Sequence, residues 1–383
     1  MHENGCEANG EVTLMMMNAG QPNAPLLTTK RHFKALDGLR GVAALSVVTF
    51  HFMEMAIYDY SRLFIGHGWL AVDFFFCLSG FVIGYAYDDR VGTMGVWEFL
   101  KSRLIRLHPL VILGSVLGLI ALLFDPFAGS PAYHAGQITL MFLASILLIP
   151  YPAMHERGFN LFSLNAPSWS LFWEYVANIF YAVVVYRFTR RWLLFFTVIA
   201  AVVLCVVGYR AGMLAGGWSG PTFWHGGARV AYSFLAGLLV YRSKWIIRSR
   251  VGFGVLSVLL LLAFLMPYAR GGWLREEVVI LFYFPLLVAL GAGATLTPRS
   301  EKLCTFAGDI SYPLYMTHYA VIWIFGNYYS AYKPDTAHLA LIVTSGVLVM
   351  VGFAYLVMVL YDMPVRKYLS SKRRLRREMK VAG

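Results

Sequence analysis

Apolar and polar positions alternate along this chain in long blocks. Apolar runs fall at 36–57, 69–87, 108–124, 137–149, 168–186, 192–208, 228–241, 252–267, 277–296, 312–329 and 338–361. Short polar stretches rich in Lys and Arg separate them. Most runs reach the length that an α-helix needs to cross a bilayer, about twenty residues with a floor near seventeen. The pattern predicts an all-α, polytopic integral membrane protein. Two runs are short. Run 137–149 leads into Ile149, Pro150, Tyr151 and Pro152, and run 228–241 is extended by Ala, Gly and aromatic flanks.

The basic clusters choose between ten and eleven spans. Cytoplasmic loops carry an excess of Lys and Arg. If all eleven runs crossed from an inside N-terminus, Arg187, Arg190, Arg191 and the Arg242–Arg250 cluster would lie outside. If 137–149 dips in and returns, those clusters move inside. They then join Lys30, Arg31 and Lys34, the Arg90–Arg106 cluster, Arg299 and Lys302, and the C-terminal cluster. Only scattered residues such as Arg62, Arg157, Arg210 and Arg229 remain outside. The expectation is about ten transmembrane helices plus a short re-entrant segment, with both termini cytoplasmic. Residues 1–34, rich in Asn, Gly and Met without a basic-then-apolar leader, are expected to be a disordered cytoplasmic tail. Residues 35–366 form the transmembrane domain, and 367–383 a basic cytoplasmic tail near anionic headgroups. The expected location is the cell membrane, inner or plasma, as a multi-pass protein.

Composition supports this reading. The chain is 59% hydrophobic and 14% charged, with mean hydropathy +0.62, whereas soluble domains carry about 25% charged residues. A net charge of +12 could suggest nucleic acid. The clustering between apolar runs assigns it to the membrane instead, so no nucleic-acid partner is expected. Cys6, Cys77, Cys205 and Cys304 show no metal or redox spacing, and no metal site is expected.

Against this apolar background, buried ionisable groups need a reason, because each costs roughly 2.5–3.5 kcal/mol to insert. The first run carries Asp37, Arg40 and His51. Arg40 and His51 are eleven residues apart, three helical turns plus roughly 20°, so they share a face about 16 Å apart along the axis. By residue counting, His51, Asp73 and Glu174 share the outer third of the membrane. A carboxylate beside a histidine would orient it as a general base. The alternative is that Asp73 and Glu174 satisfy neighbouring helices. The same counting puts Arg40 and His318 near the cytoplasmic surface. Below them Val96 to Pro109 reads as an interfacial amphipathic helix, with Trp97, Leu100, Leu104 and Leu107 on one stripe and Lys101, Arg103 and Arg106 off it. It is either a lipid-facing anchor or a cradle for phosphates. Gly114 and Gly118, and Ser79 with Gly80, read as close-packing sites. Nucleophile-elbow, zincin and Walker A signatures are absent from the sequence.

Several stretches carry a resemblance. Arg40, ten intervening residues and His51, set in LDGLRG, resemble the signature of the acyltransferase-3 family of membrane acyltransferases. Gly68 to Tyr85 (with FFFCLSGF), Arg103 to Pro109 (RLIRLHP), Pro167 to Glu174 (PSWSLFWE) and Ser311 to His318 (SYPLYMTH) are similar to further landmarks of that family, in order. The resemblance spans Leu36 to Arg366 and implies ten spans, making 35–366 a transmembrane acyltransferase domain. It further implies acyl-coenzyme A, acetyl-CoA in kind, as co-substrate, and a carbohydrate or glycolipid acceptor such as polysaccharide or lipopolysaccharide. On that reading His51, Asp73, Glu174 and His318 are the catalytic candidates, and Arg40, Arg103 and Arg106 hold the donor. A secondary-metabolite (macrolide-type) acyltransferase and a membrane transporter or exporter are the alternatives. Acceptor choice is expected in the outer loops 150–167 and 209–227.

Overall fold

In the computed structural model, residues 32–129, 132–269 and 271–382 are described. The expected N-terminal tail lies outside them except for its last three residues. Every apolar run is helical: α1 Lys34–Ala56, α2 Ala71–Tyr87, α3 Val96–Phe124, α4 Ala135–Ile146, α5 Ser168–Val183, α6 Arg190–Ala211, α7 Phe223–Arg242, α8 Phe253–Phe264, α9 Trp273–Gly293, α10 Pro298–Tyr332 and α11 Thr336–Val357. A wider-wound turn, Met358–Asp362, leads into α12, Met363–Ala382. The described residues contain isolated β-bridges and no sheet. Among the described residues, six helices are long and apolar enough to cross a membrane: α1, α2 with the turn before it, α3, α6, α9, and α11 with its continuation to Leu375. α7 and α10 are long enough but more polar, and α4 and α8 have 12 residues each.

Two close helix pairs form the centre. α1 and α10 run parallel, with Gly38 against Cys304, Gly41 against Ala307 and Gly308 against Asp37. A Cβ at any of these glycines would collide with the facing helix. Above this contact Val48, Phe52, Leu314, Ile322 and Phe325 make an apolar core that Met350 of α11 completes. α2 and α7 pair in the same manner, Gly80 on the backbone of Phe234 and Gly237 on the carbonyl of Cys77. Apolar burial gives little drive between helices in lipid, so close van der Waals approach and interhelical polar pairs carry the association.

The α2–α7 pair is clipped at both ends. Asp73 takes three bonds from Arg229, at 3.0, 3.2 and 2.6 Å. Asp88 holds Arg242 at 2.7 and 2.9 Å and accepts from the Tyr181 hydroxyl at 2.8 Å. Arg229 was expected among the outer-side residues; it is 0% exposed. Its place in the short seventh run puts it inside the bundle, where its remaining donors reach the carbonyls of Gly216 and Trp69.

The separate interfacial helix expected over 96–109 is instead the first part of α3, which passes through Pro109 unbroken. Proline removes one intrahelical bond. The Tyr312 and Tyr361 hydroxyls donate to the carbonyls of Leu107 and Pro109 beside it. The basic stretch after residue 366 is helical, and Arg373 bonds Glu98 of α3 through its side chain (3.0 Å) and carbonyl (2.8 Å).

The loop between α4 and α5 turns inward. Leu161, Phe162, Leu164 and Ala166 are buried, and the backbone at Leu164 lies on Gly118. The Gly114 and Gly118 pair thus admits this loop, Asn165 sitting against Gly114. Loop 209–227 joins it: the Leu161 amide donates to the Trp218 carbonyl at 2.8 Å, and Asn160 pairs with Ser219.

Candidate active site

Arg40 and His51 do share a face of α1, and both meet α10. Arg40 donates to the Ser311 hydroxyl and the Gly308 carbonyl, each at 2.9 Å, and pairs with Asp37 at 3.2 Å. Three turns on, the His51 ring stacks on His318 with centroids 5.5 Å apart and planes at 23°, and meets the edge of Tyr319 at 5.0 Å. His318 is therefore a neighbour of His51 and not of Arg40. The expected inner position took the helix to begin near residue 312. α10 begins at Pro298, so His318 lies twenty residues along it, about 30 Å.

The carboxylate at His51 is Glu54, one turn away on α1. Its Oε2 lies 2.9 Å from His51 Nδ1, and its Oε1 accepts from the Tyr60 hydroxyl at 2.7 Å. An ionised carboxylate accepts only, so Nδ1 carries the proton and Nε2 keeps its lone pair. The His51 and Glu54 side chains keep 22% and 28% of their exposure, which leaves the imidazole reachable. His318 is fully enclosed. Its Nδ1 donates to the Tyr315 carbonyl at 2.9 Å, and its Nε2 has no partner among the described residues.

Asp73 and Glu174 do not join His51. Asp73 is taken by Arg229, as above. Glu174 Oε1 accepts from Arg103 at 2.8 Å and from the Ser79 hydroxyl at 3.0 Å. The grouping by depth differs because residue counting fixes height, whereas the helix face fixes the partner. Glu54 was visible in the sequence as an i, i+3 neighbour of His51. The sequence reading did not single it out.

Arg103 is 6% exposed and turned toward Glu174. Arg106, one turn on, lines a pocket of about 370 Å³ with Ser102, Ile105, Met363, Arg366, Lys367 and Ser370. It lies in the field of Arg40, Arg103 and Arg366. Arg366 pairs with Asp362 at 2.6 Å and keeps a third of its surface. The sequence reading put the donor on Arg40 of α1 with Arg103 and Arg106 of α3; this pocket is walled by α3 and α12.

Between the two groups runs a polar connection. Glu174 is one turn from Ser170, whose hydroxyl lies 2.8 Å from that of Tyr315. The Tyr315 ring is 6.0 Å from His318. An oriented imidazole thus stands at one end and a basic pocket at the other. Among the described residues no group of three His, Cys, Asp or Glu side chains is arranged to hold a metal.

The sequence matches the family model for an acyltransferase domain, of the acyltransferase-3 type, over residues 33–359. The chain is similar to "Protein 2 in picA locus" of Rhizobium radiobacter, 35% identical over 184 residues, which cover 45% of this chain and 93% of that protein. No solved structure matches.

Proposed function

The chain belongs to the acyltransferase-3 family, and from that premise we propose that it moves an acyl group, acetyl in the simplest case, from cytoplasmic acyl-coenzyme A to a hydroxyl of a carbohydrate or glycosylated lipid. The observation that carries this reading is His51, open on one side and fixed by Glu54 on the other, on the helix face that also bears Arg40. The proposal includes ten spans, both termini cytoplasmic, and the inner or plasma membrane as location.

The donor's phosphates sit in the pocket of Arg106, Arg366 and Lys367, where guanidinium forks suit phosphate oxygens. Arg103 and Arg40 are committed to protein partners and add charge beside it. The extended pantetheine arm follows the polar connection toward His51. His51 Nε2 takes the proton of the acceptor hydroxyl as its oxygen attacks the thioester carbonyl. The tetrahedral oxyanion then collapses, the C–S bond breaks, and the imidazolium returns its proton to the coenzyme A thiolate. Glu54 stabilises that imidazolium, and Tyr60 holds Glu54. The Tyr319 hydroxyl, which makes no hydrogen bond among the described residues and whose ring packs on His51, is a candidate donor for the oxyanion. His318 supports the stacked ring of His51. Asp73 and Glu174 act here as positioning residues that hold α7 and Arg103.

The test supplies acetyl-labelled acetyl-CoA and surface glycan to the purified protein. Ester-bound label on the glycan, with stoichiometric free coenzyme A, is the expected result. No consumption of acetyl-CoA and no labelled glycan would overturn the proposal.

A further inference from the structure

Arg157 is a buried cation that the proposed chemistry does not use. It lies in the loop between α4 and α5, on a turn where Gly158 and Phe159 are both left-handed, at φ 61° and 52°. That reversal, fixed by backbone bonds between Leu161 and Trp218 and between Gly220 and Phe159, sends the Arg157 side chain inward, leaving the residue 8% exposed. It donates to the Ser163 carbonyl and stacks on Trp323 at 4.6 Å. No carboxylate lies within ion-pair distance among the described residues. The adjacent Glu156 accepts from the Tyr133 hydroxyl at 2.6 Å instead. Burial pushes the guanidinium down to about 10, which leaves it charged at neutral pH.

Glu156 and Asp125 act on Arg157 only through space, and a buried charge without a directly bonded anion is costly, so the missing ion pair calls for an explanation. The surroundings say where such an anion would sit. Trp323 is one turn beyond Tyr319 on α10, with rings 5.7 Å apart, and Tyr319 packs on His51. Tyr319 lies in the field of both Glu54 and Arg157. The indole Nε1 of Trp323 also has no partner. A guanidinium with no ion-pair partner and an indole N–H with no acceptor among the described residues therefore lie together beside Tyr319, the ring that packs on His51.

We propose that Arg157 binds a carboxylate on the acceptor, so that the acylated substrate is an acidic glycan of the uronic-acid type. This rests on the acyl-transfer reading for which group is the acceptor. The carboxylate supplies the direct ion pair that Arg157 lacks among the described residues and fixes the sugar with one hydroxyl toward His51. A neutral sugar would leave the guanidinium unpaired and bind more weakly.

The experiment uses full-length purified protein in detergent, without donor. Binding of an oligogalacturonide is compared with that of a neutral galacto-oligosaccharide of equal length. The wild type should prefer the acidic probe, and Arg157→Gln should lose roughly ten- to hundredfold in affinity for it while the neutral probe is unaffected. Arg157→Lys, which keeps the charge and can still bond Ser163, should retain part of the preference. No preference in the wild type, or a preference that survives Arg157→Gln, would overturn the proposal. Equal loss of both probes in Arg157→Lys at unchanged Tm would do the same, because it marks a structural role. His51→Ala should keep the preference. Preference without acyl transfer by the wild type would sink the acyl-transfer reading alone, and transfer to neutral glycan without preference would sink this one alone.

Discussion

At the scale of single residues, the chain contains two kinds of ionisable group, and their partners separate them. Asp73 and Arg229 are both 0% exposed and saturate one another. Removing one partner of such a pair leaves a bare buried charge, at a cost of about 3–5 kcal/mol. Arg229→Ala should therefore lower Tm sharply or prevent recovery of folded protein, read by thermal unfolding in detergent; an unchanged Tm would show the pair to be dispensable. His51 and Glu54 keep access to solvent and a lone pair. Glu54→Gln preserves the shape but removes the charge that stabilises the imidazolium. It should lower kcat on the order of 10²-fold with little change in either KM. A kcat within about threefold of wild type would reassign Glu54. The sequence showed which residues were out of place in lipid: Arg40, His51, Asp73, Glu174 and His318 all make specific polar contacts. It did not show who meets whom. Asp73 and Arg229 are 156 residues apart, and only the helix packing joins them.

At the scale of elements, hydrophobic run length was the most legible signal, because a membrane helix must be apolar over most of its length. It failed where apolar and polar stretches share one helix. Pro109 read as a boundary between an interfacial helix and a span, yet α3 continues through it; Pro313 lies inside α10 in the same way. Those overlooked extensions carry the basic pocket and the register that brings His318 to His51. The pocket walls come from α3 and α12, so the proposed donor binding would depend on both. Replacing Arg106 and Arg366 together by Gln should raise the donor KM tenfold or more, at about 1.5–3 kcal/mol per charge-assisted bond, and leave the acceptor KM unchanged. Lysines at both sites should recover only part, since they restore charge without the planar fork. Unaltered coenzyme A binding in detergent would place the cradle elsewhere.

For the whole molecule, the proposed topology makes the basic pocket cytoplasmic and sets His51 toward the opposite face. Single cysteines at 188–191 and 243–249 should resist impermeant thiol reagents in intact cells, whereas one at Phe159 should label. Labelling at 243–249 from outside would overturn the ten-span arrangement. Orientation was legible only through charge clusters, and Arg229 shows the weakness of that signal: a basic residue counted as outer loop is buried in an ion pair. The central claim is that one path through the protein joins a cytoplasmic acyl donor to an acceptor at His51. The most direct measurement uses proteoliposomes sorted by orientation, with labelled acetyl-CoA on the face of Arg106 and glycan only on the other. Wild type should build up labelled glycan, and His51→Ala, reconstituted to the same level and equally stable, should fall by at least two orders of magnitude. Transfer by His51→Ala within about tenfold of wild type would contradict the account.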